Sequence, residues 1–453
     1  MQAQQGGQME VSGILNSNKL SYKLLPDLSV SVQRNNQSQF FQNQSYSPNT
    51  LGVCIWNTGS NYVDVSRSAL VLTVKNTSGA PAWFGPSGSA CNLVNRITIM
   101  SRSGAVIELI QNANQLAAHT LAYRHDRTWR GQAQSIEAKA TDLASVPALT
   151  VAGNAMMYGA TALPLAATAA PNTVVDYSWA NNETQRFFIP LSEISPFFAN
   201  CHELLPASLC SGLRIELLFE LAGNALMSTT TTGISADYLI TDCRFETECY
   251  QLSDMVLRTL SDQAASSGLE VVSVTAYNTQ FNRTIASVNV DCSKAVARAL
   301  SFVYRERPIL ASDSAATVSD HFACYPVDGT NYPVQFQSRV GSLYFPVQSV
   351  RSGSGWRTAA SDLYFITLQS LGSLGWARSG IATNFYSYLS KQFSVTQSLE
   401  RESVLGLSGV PLSNARLLNV QMQWSTAAST VGDLFLFYAV LVRAFESGTN
   451  VEV

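Results

Sequence analysis

The decamer GLRIELLFEL, Gly212 to Leu221, alternates along its whole length. Leu213, Ile215, Leu217, Phe219 and Leu221 fall on one face, with Arg214, Glu216, Leu218 and Glu220 on the other. Side chains of an extended backbone point to opposite faces with a period of two, so the pattern predicts a half-buried β-strand. A second alternating stretch, ADYLITDCRFETECYQL (Ala236 to Leu252), follows, with Thr241, Cys243, Phe245 and Thr247 in phase and Cys249 on the same apolar face. The same signature recurs at Leu28/Val30/Val32, Leu70/Leu72/Val74, Ile97/Ile99, Val334/Phe336, Leu343/Phe345/Val347, Phe393/Val395 and Leu418/Val420/Met422/Trp424. Helical spacing is confined to brief stretches, chiefly Asn112 to Tyr123 and Gly355 to Ser373, the latter gathering Trp356, Ala359, Ala360, Leu363 and Ile366 on one side, with an apolar helix-like patch at Met255–Leu260. The chain therefore reads as all-β with short inserted helices.

The order of these elements repeats. Strand Ala69–Asn76, a hairpin at SRSG (Ser101–Gly104), helix Asn112–Tyr123, and strands Gln185–Leu191, Gly212–Leu221 and Ala236–Tyr250 form one series. Strand Arg298–Arg305, a hairpin at SRVG (Ser338–Gly341), helix Gly355–Ser373, and strands Gln392–Leu399, Arg416–Ser425 and Asp433–Phe445 form the other. Gly104 and Gly341 stand where a three-residue hairpin needs a left-handed residue. The first series carries an extra Ala- and Thr-rich tract at 131–182, too long for an ordinary connection and too apolar for a solvated one. An ordered loop covered by neighbouring subunits is expected there. The divisions that follow are an N-terminal arm at 1–20, a first β unit at 21–260, a linker of small polar residues at 261–268, and a second unit with a short tail at 269–453.

Composition narrows the function. In a chain of 453 residues, 28 basic against 31 acidic side chains give a net charge of −3, which disfavours a protein that grips a polyanion. Charged residues are only 13% of the chain, about half the usual share, while 46% are hydrophobic. Only six of the basic residues are lysine, so a lysine-studded solvated surface is missing and arginine supplies the planar donors suited to protein contacts. Together these suggest a surface largely covered by partners. The longest C-terminal apolar run, Leu434 to Val442, is too short to span a bilayer, and the opening MQAQQGGQME lacks the basic and apolar regions of a secretory signal. A cytosolic or nuclear origin is expected. The sequons at Asn36, Asn43, Asn76, Asn182 and Asn282 then read as chance in an amide-rich chain.

Candidate chemistry is sparse. The eight cysteines form no C-x-x-C pair, so buried thiols are expected in place of a zinc or redox site. His125–Asp126 lies among Arg124, Arg127, Trp129 and Arg130; it could be a dyad or a phosphate patch, but reads better as a polar loop at a helix end. Arg124, Arg127, Trp129 and Arg130 are therefore the candidate subunit contacts. Cys201–His202–Glu203 has no protease signature around it, and Asp320, His321 and Cys324 lack a second ligand pair. Glu216 and Glu220 share one face of a strand, which a solvent or interface face explains without catalysis. GPSGSA (Gly85–Ala90) and SGSGW (Ser352–Trp356) lack the Lys-Ser/Thr ending of a phosphate loop. No enzyme activity, cofactor or metal is expected.

GLRIELLFEL followed by ADYLITDCRFETECYQL, and NARLLNVQMQWS followed by DLFLFYAVLVRAF, resemble the closing strand pairs of each roll in double jelly-roll major capsid proteins. The likeness covers essentially the whole chain and is to the compact capsid proteins of polinton-like viruses and virophages, distant relatives of adenovirus hexon. It implies two tandem eight-stranded jelly rolls, a pseudo-hexagonal homotrimer, and tiling into the icosahedral shell of a double-stranded DNA virus. It further implies penton and minor or cement proteins as partners, no direct sequence-specific contact with nucleic acid, and a virion capsid assembled in host cytoplasm or nucleus; an internal membrane stays open. A β-sandwich binding protein of lectin or carbohydrate-binding type is the alternative.

Overall fold

The structure is a computed structural model that describes residues 31–80, 82–84, 89–124, 150–151, 154–155, 179–228, 237–282, 287–290, 294–305, 322, 333–351, 356–373, 385, 388, 392–400, 409–412, 417–424, 431–445 and 448–452. Eight strands build the first half: β1 Ser31–Phe40, β2 Leu51–Ile55, β3 Tyr62–Asn76, β4 Val94–Met100, β5 Val106–Ile110, β6 Thr184–Pro190, β7 Arg214–Phe219 and β8 Tyr238–Leu252. Eight more build the second: β9 Leu269–Asn282, β10 Ser287–Val290, β11 Lys294–Arg305, β12 Pro333–Val340, β13 Leu343–Arg351, β14 Ser394–Ser398, β15 Leu418–Trp424 and β16 Val431–Phe445. Three longer helices accompany them: α1 Ala113–Arg124, α2 Asp254–Ser266 and α3 Trp356–Ser373.

Hydrogen-bonded neighbours run β1-β8-β3-β6 and β2-β7-β4-β5 in the first half, and β9-β16-β11-β14 and β10-β15-β12-β13 in the second. Adding eight to each first-half label gives the second-half order, with every pair antiparallel. The first strand pairs with the last and the second with the seventh, the wrapping order of a jelly roll, whose two stacked sheets bury one face each. The expected two tandem jelly rolls are what the chain forms.

The alternation predicted for the opening decamer holds through the strand. Leu213, Ile215, Leu217 and Phe219 are all essentially buried. It stops at Phe219, where the strand ends: Leu221, 52% exposed, stands at the start of the short helix Ala222–Ala225. Both hairpin glycines adopt positive φ, +85° at Gly104 and +59° at Gly341. The hairpins differ in length. Met100 pairs with Val106 across the first turn, whereas Val340 pairs directly with Leu343 across the second, so the shared tetrapeptide lies in the loop in one roll and mostly in the strand in the other.

The stretch at 261–268 is not a bare connector. Helix α2 runs through its first six positions to Ser266 and ends where the Ser267 and Gly268 amides donate to the Gln263 carbonyl at 2.9 and 3.1 Å, with Gly268 at φ +79°. In helix α3 the burial of Trp356, Ala359 and Ala360 lies outside the described residues; Leu363 is buried, Ile366 is half-buried, and the buried stripe continues through Thr367, Ser370 and Leu371. Two of these are hydroxyls with partners: Thr367 Oγ1 donates to the Ser394 carbonyl at 3.1 Å and accepts from the Thr396 amide at 3.1 Å, while Ser370 Oγ accepts from the Ser398 amide at 2.8 Å. The helix thus supplies partners to backbone groups of the edge strand β14, closing an edge that would otherwise invite pairing.

Most of 131–182 lies outside the described residues. Its far end does not reach outward: Trp179 is fully buried in the first roll, 5.5 Å from Phe84 and 5.7 Å from Phe187 between ring centroids, and bridges backbone-to-backbone with Ala82. Asn76, one of the sequon residues, is fully buried and donates to the carbonyls of Ala80 and Trp179 at 2.7 and 3.0 Å.

Candidate functional site

The residues with the most demanding chemistry lie where the two rolls meet. Strand β5 carries a single carboxylate, Glu108, within the apolar run Val106–Ile110, and the fold leaves it 1% exposed. Three donors reach it. The Phe197 amide donates to Oε1 at 3.0 Å, Thr275 Oγ1 of β9 donates to the same oxygen at 2.7 Å, and Ser195 Oγ makes a very short bond to Oε2. Ser195 also accepts from the Phe198 amide at 3.2 Å, which caps the short helix Pro196–Ala199. Beside it, Ser273 Oγ of β9 donates to the Phe197 carbonyl at 2.6 Å. Burial pushes the Glu108 carboxyl up to about 7, the three hydrogen bonds opposing it only in part.

Helix α1 is the second component of the joint. Ala113 to Tyr123 are all buried, which a helix tolerates only when wedged between two bodies. Its preceding residue Asn112 donates through Nδ2 to Asp433 Oδ1 of β16 at 2.9 Å, and Gln280 Nε2 donates to that oxygen at 3.2 Å. At its other end the Tyr123 hydroxyl donates to the Gln392 carbonyl of the second roll at 2.5 Å. His119, 5.0 Å from the Tyr123 ring between centroids, is held neutral by burial, its pKa lowered to about 3. This cover explains a contrast between the two closing strands. In β8 buried and part-exposed residues interleave, whereas β16 is buried on both faces from Gly432 to Val440, because the first roll lies on its outer side.

Of the candidate subunit contacts, Arg124 is half-buried and donates through Nη1 to the Ser192 carbonyl at 3.0 Å, a bond inside the first roll. Arg127, Trp129 and Arg130, with His125 and Asp126, lie outside the described residues. The carboxylates considered for glycoside chemistry do not share a site. Glu216 pairs with Arg214 at 2.5 Å. Glu220 is not on a solvent face: it is 4% exposed and receives Asn95, Asn114 and Asn224 side-chain amides at 2.5, 2.7 and 2.9 Å and the Leu221 amide at 2.9 Å. Four donors on one carboxylate leave no lone pair facing a substrate. Cys201 is buried with its thiol pushed up to about 12, so it makes a poor nucleophile, and Asp320, His321 and Cys324 are outside the described residues. Among the described residues no three His, Cys, Asp or Glu side chains gather as a metal site, and no helix is long and apolar enough to cross a membrane. Six cysteines, Cys54, Cys91, Cys201, Cys210, Cys243 and Cys249, are buried as expected; Cys292 and Cys324 are not described.

Sequence reasoning missed Glu108, Ser273, Thr275 and Asp433. The signal for the two carboxylates was present: each is a lone acid beside an apolar run, VIELI and DLFLFYAV, where a charge is costly unless paired.

No family model matches the chain, and no curated protein matches its sequence. Solved structures do. The Faustovirus major capsid protein aligns over 94% of this chain and 92% of its own, with a TM-score of 0.61 and 10% identity. The PBCV-1 protein VP54, as fitted into a reconstruction of the virophage Sputnik, aligns over 95% and 99%, with a TM-score of 0.57 and 10% identity. The PBCV-1 capsid model gives 95% and 99% at a TM-score of 0.56, also at 10% identity. The chain therefore has the double jelly-roll fold of these proteins along nearly its full length.

Proposed function

We propose that this protein is a major capsid protein that associates as a homotrimer and tiles the icosahedral shell of a double-stranded DNA virus. The observation that carries the reading is the duplication along the chain: two jelly rolls of one strand order, joined through a buried interface, a fold shared with capsid-protein chains over more than nine-tenths of each. Six rolls from three copies supply a pseudo-hexagonal footprint, and the low charge suits subunits whose flanks become interfaces. The divisions 1–20, 21–260, 261–268 and 269–453 serve as arm, first roll, connection and second roll. Penton and minor or cement proteins complete the shell, and assembly takes place in the host cytoplasm or nucleus. A lectin-type sandwich has no observation in its favour.

The test is direct. Light scattering of the purified chain should return a three-chain mass, and negative-stain microscopy should show particles of hexagonal outline. A monodisperse monomer overturns the reading. Replacing Arg124, Arg127 and Arg130 with Ala should weaken assembly and leave salt-sensitive DNA retention unchanged; the reverse result would turn that segment toward the genome.

A further inference from the structure

The two rolls share one strand order, but their equivalent sheets differ in charge. The first-roll sheet β2-β7-β4-β5 carries Arg96 and Arg214 together with Glu108 and Glu216. The second-roll sheet β10-β15-β12-β13 carries Arg339 and Arg351, and none of its four strands contains an acidic residue. Arg339 borders a cleft of about 390 Å³ lined also by Ser287, Gly341, Leu417, Asn419 and Gln421. The cleft opens on the outer face of the sheet, since Leu418, Val420 and Met422, which alternate with Asn419 and Gln421 along β15, are buried.

The donors of this cleft are fixed in place. Arg339 Nε donates to the Gly341 carbonyl at 2.6 Å, and the guanidinium carbon lies 5.4 Å from the Tyr344 ring centroid. Among the described residues no carboxylate pairs with Arg339, so its two Nη groups keep the planar fork that fits two oxygens of an oxyanion. Asn419 Nδ2 donates to Ser287 Oγ at 2.7 Å and to Asn289 Oδ1 at 2.6 Å, which uses both of its amide protons. The Ser287 hydroxyl accepts there and so has its own proton to give. Asn419 Oδ1 and the exposed Gln421 amide remain as neutral acceptors. A carboxylate would occupy the Arg339 fork alone, whereas a phosphate brings a third oxygen for Ser287. The cleft is also larger than a bare phosphate needs and falls at the small end of organic-ligand sites.

We propose that this cleft binds the phosphate ester of a small polyol, with the phosphate on Arg339 and Ser287 and the polyol hydroxyls on Asn419 and Gln421. Free glycerol phosphate and the headgroup of a glycerophospholipid share that chemistry. The site goes beyond the capsid reading and does not rest on it: none of the residues named takes part in the joint between the rolls, and the ligand meets a single chain.

Calorimetry on the purified full chain at low salt provides the test. Glycerol phosphate should bind once per chain and more tightly than inorganic phosphate, with glycerol itself inert. Arg339→Ala should weaken binding by about tenfold or more and Ser287→Ala by roughly threefold. Arg339→Lys should not restore it, because an ammonium lacks the fork. Arg351→Ala should leave binding unchanged, since Arg351 pairs with Gln335 at the far end of β12. Ser287, Arg339 and Arg351 are all exposed, so the melting of each variant should match the wild type. An equal loss in Arg339→Ala and Arg351→Ala would mean diffuse attraction to charge and overturns the proposal, as does an absence of binding or an affinity that inorganic phosphate equals. Flotation with phosphatidylglycerol vesicles separates the two sources. Flotation that Arg339→Ala abolishes assigns the lipid headgroup, and glycerol phosphate binding without flotation assigns the free ester.

Discussion

Glu108 and Thr275 stand 167 positions apart in the sequence and meet at 2.7 Å, the carboxylate on the edge of one roll and the hydroxyl on the first strand of the other. Near that contact, burial holds Glu108 and His119 away from their solution behaviour in opposite directions.

The first prediction concerns the strength of that bond set. Glu108→Ala leaves the Phe197 amide, Thr275 and Ser195 without an acceptor, each a buried polar group costing about 1–3 kcal/mol when unsatisfied. Denaturant unfolding should show a loss of roughly 3 kcal/mol or more, and Glu108→Gln, which keeps an acceptor oxygen, a smaller one. Equal stability of wild type and Glu108→Ala would show that the network does not hold the rolls together.

The pH profile provides the second. Glu108 has its folded pKa raised from 4.5 to about 7, so its contribution is full below 4.5 and is lost as pH rises through 7. His119 has its pKa lowered from 6.5 to about 3, so its contribution is full above 6.5 and is lost as pH falls toward 3. Between 4.5 and 6.5 the two slopes oppose each other and stability should be nearly flat. Melting temperatures of Glu108→Gln should fall with acid across that window, and those of His119→Gln should fall with alkali; parallel profiles for all three proteins would contradict the assignment.

Helix α3 gives a third. Thr367→Val removes the group that bonds both Ser394 and Thr396 while preserving shape, and should cost about 1–3 kcal/mol and speed amide exchange at Thr396. Thr367→Ser should retain most of the stability. Unchanged exchange in Thr367→Val would mean the strand edge does not depend on the helix.

Two glycines form a fourth, comparative test. A Cβ on Gly104 meets nothing within 4 Å, so Gly104→Ala should cost only the left-handed strain, about 1 kcal/mol. A Cβ on Gly268 would sit 2.9 Å from the Phe445 ring as well as being strained at φ +79°, so Gly268→Ala should be clearly worse in the same denaturation assay. The opposite ranking would refute the packing of Phe445 against the end of α2.

Much of this protein was legible in its residues one strand at a time. Alternation in Leu213, Ile215, Leu217 and Phe219 reports the buried face of β7 because the period of two is a local property of the backbone, and the duplicated order of elements is enough to announce two rolls. What lay beyond local reading is everything that depends on which faces another part of the chain covers. Thr367 and Ser370 look like polar interruptions of a helix until β14 offers them its backbone, and Glu220 looks like a surface acid until three asparagines from separate elements converge on it. Glu108 and Asp433 become the fastening points of the joint only when the rolls are laid against each other. The local pattern determines strand, turn and inward face, since those follow from period and φ. The partners of buried polar groups, and so the joint between the rolls, are decided by tertiary packing, since they are set by contacts between residues hundreds of positions apart.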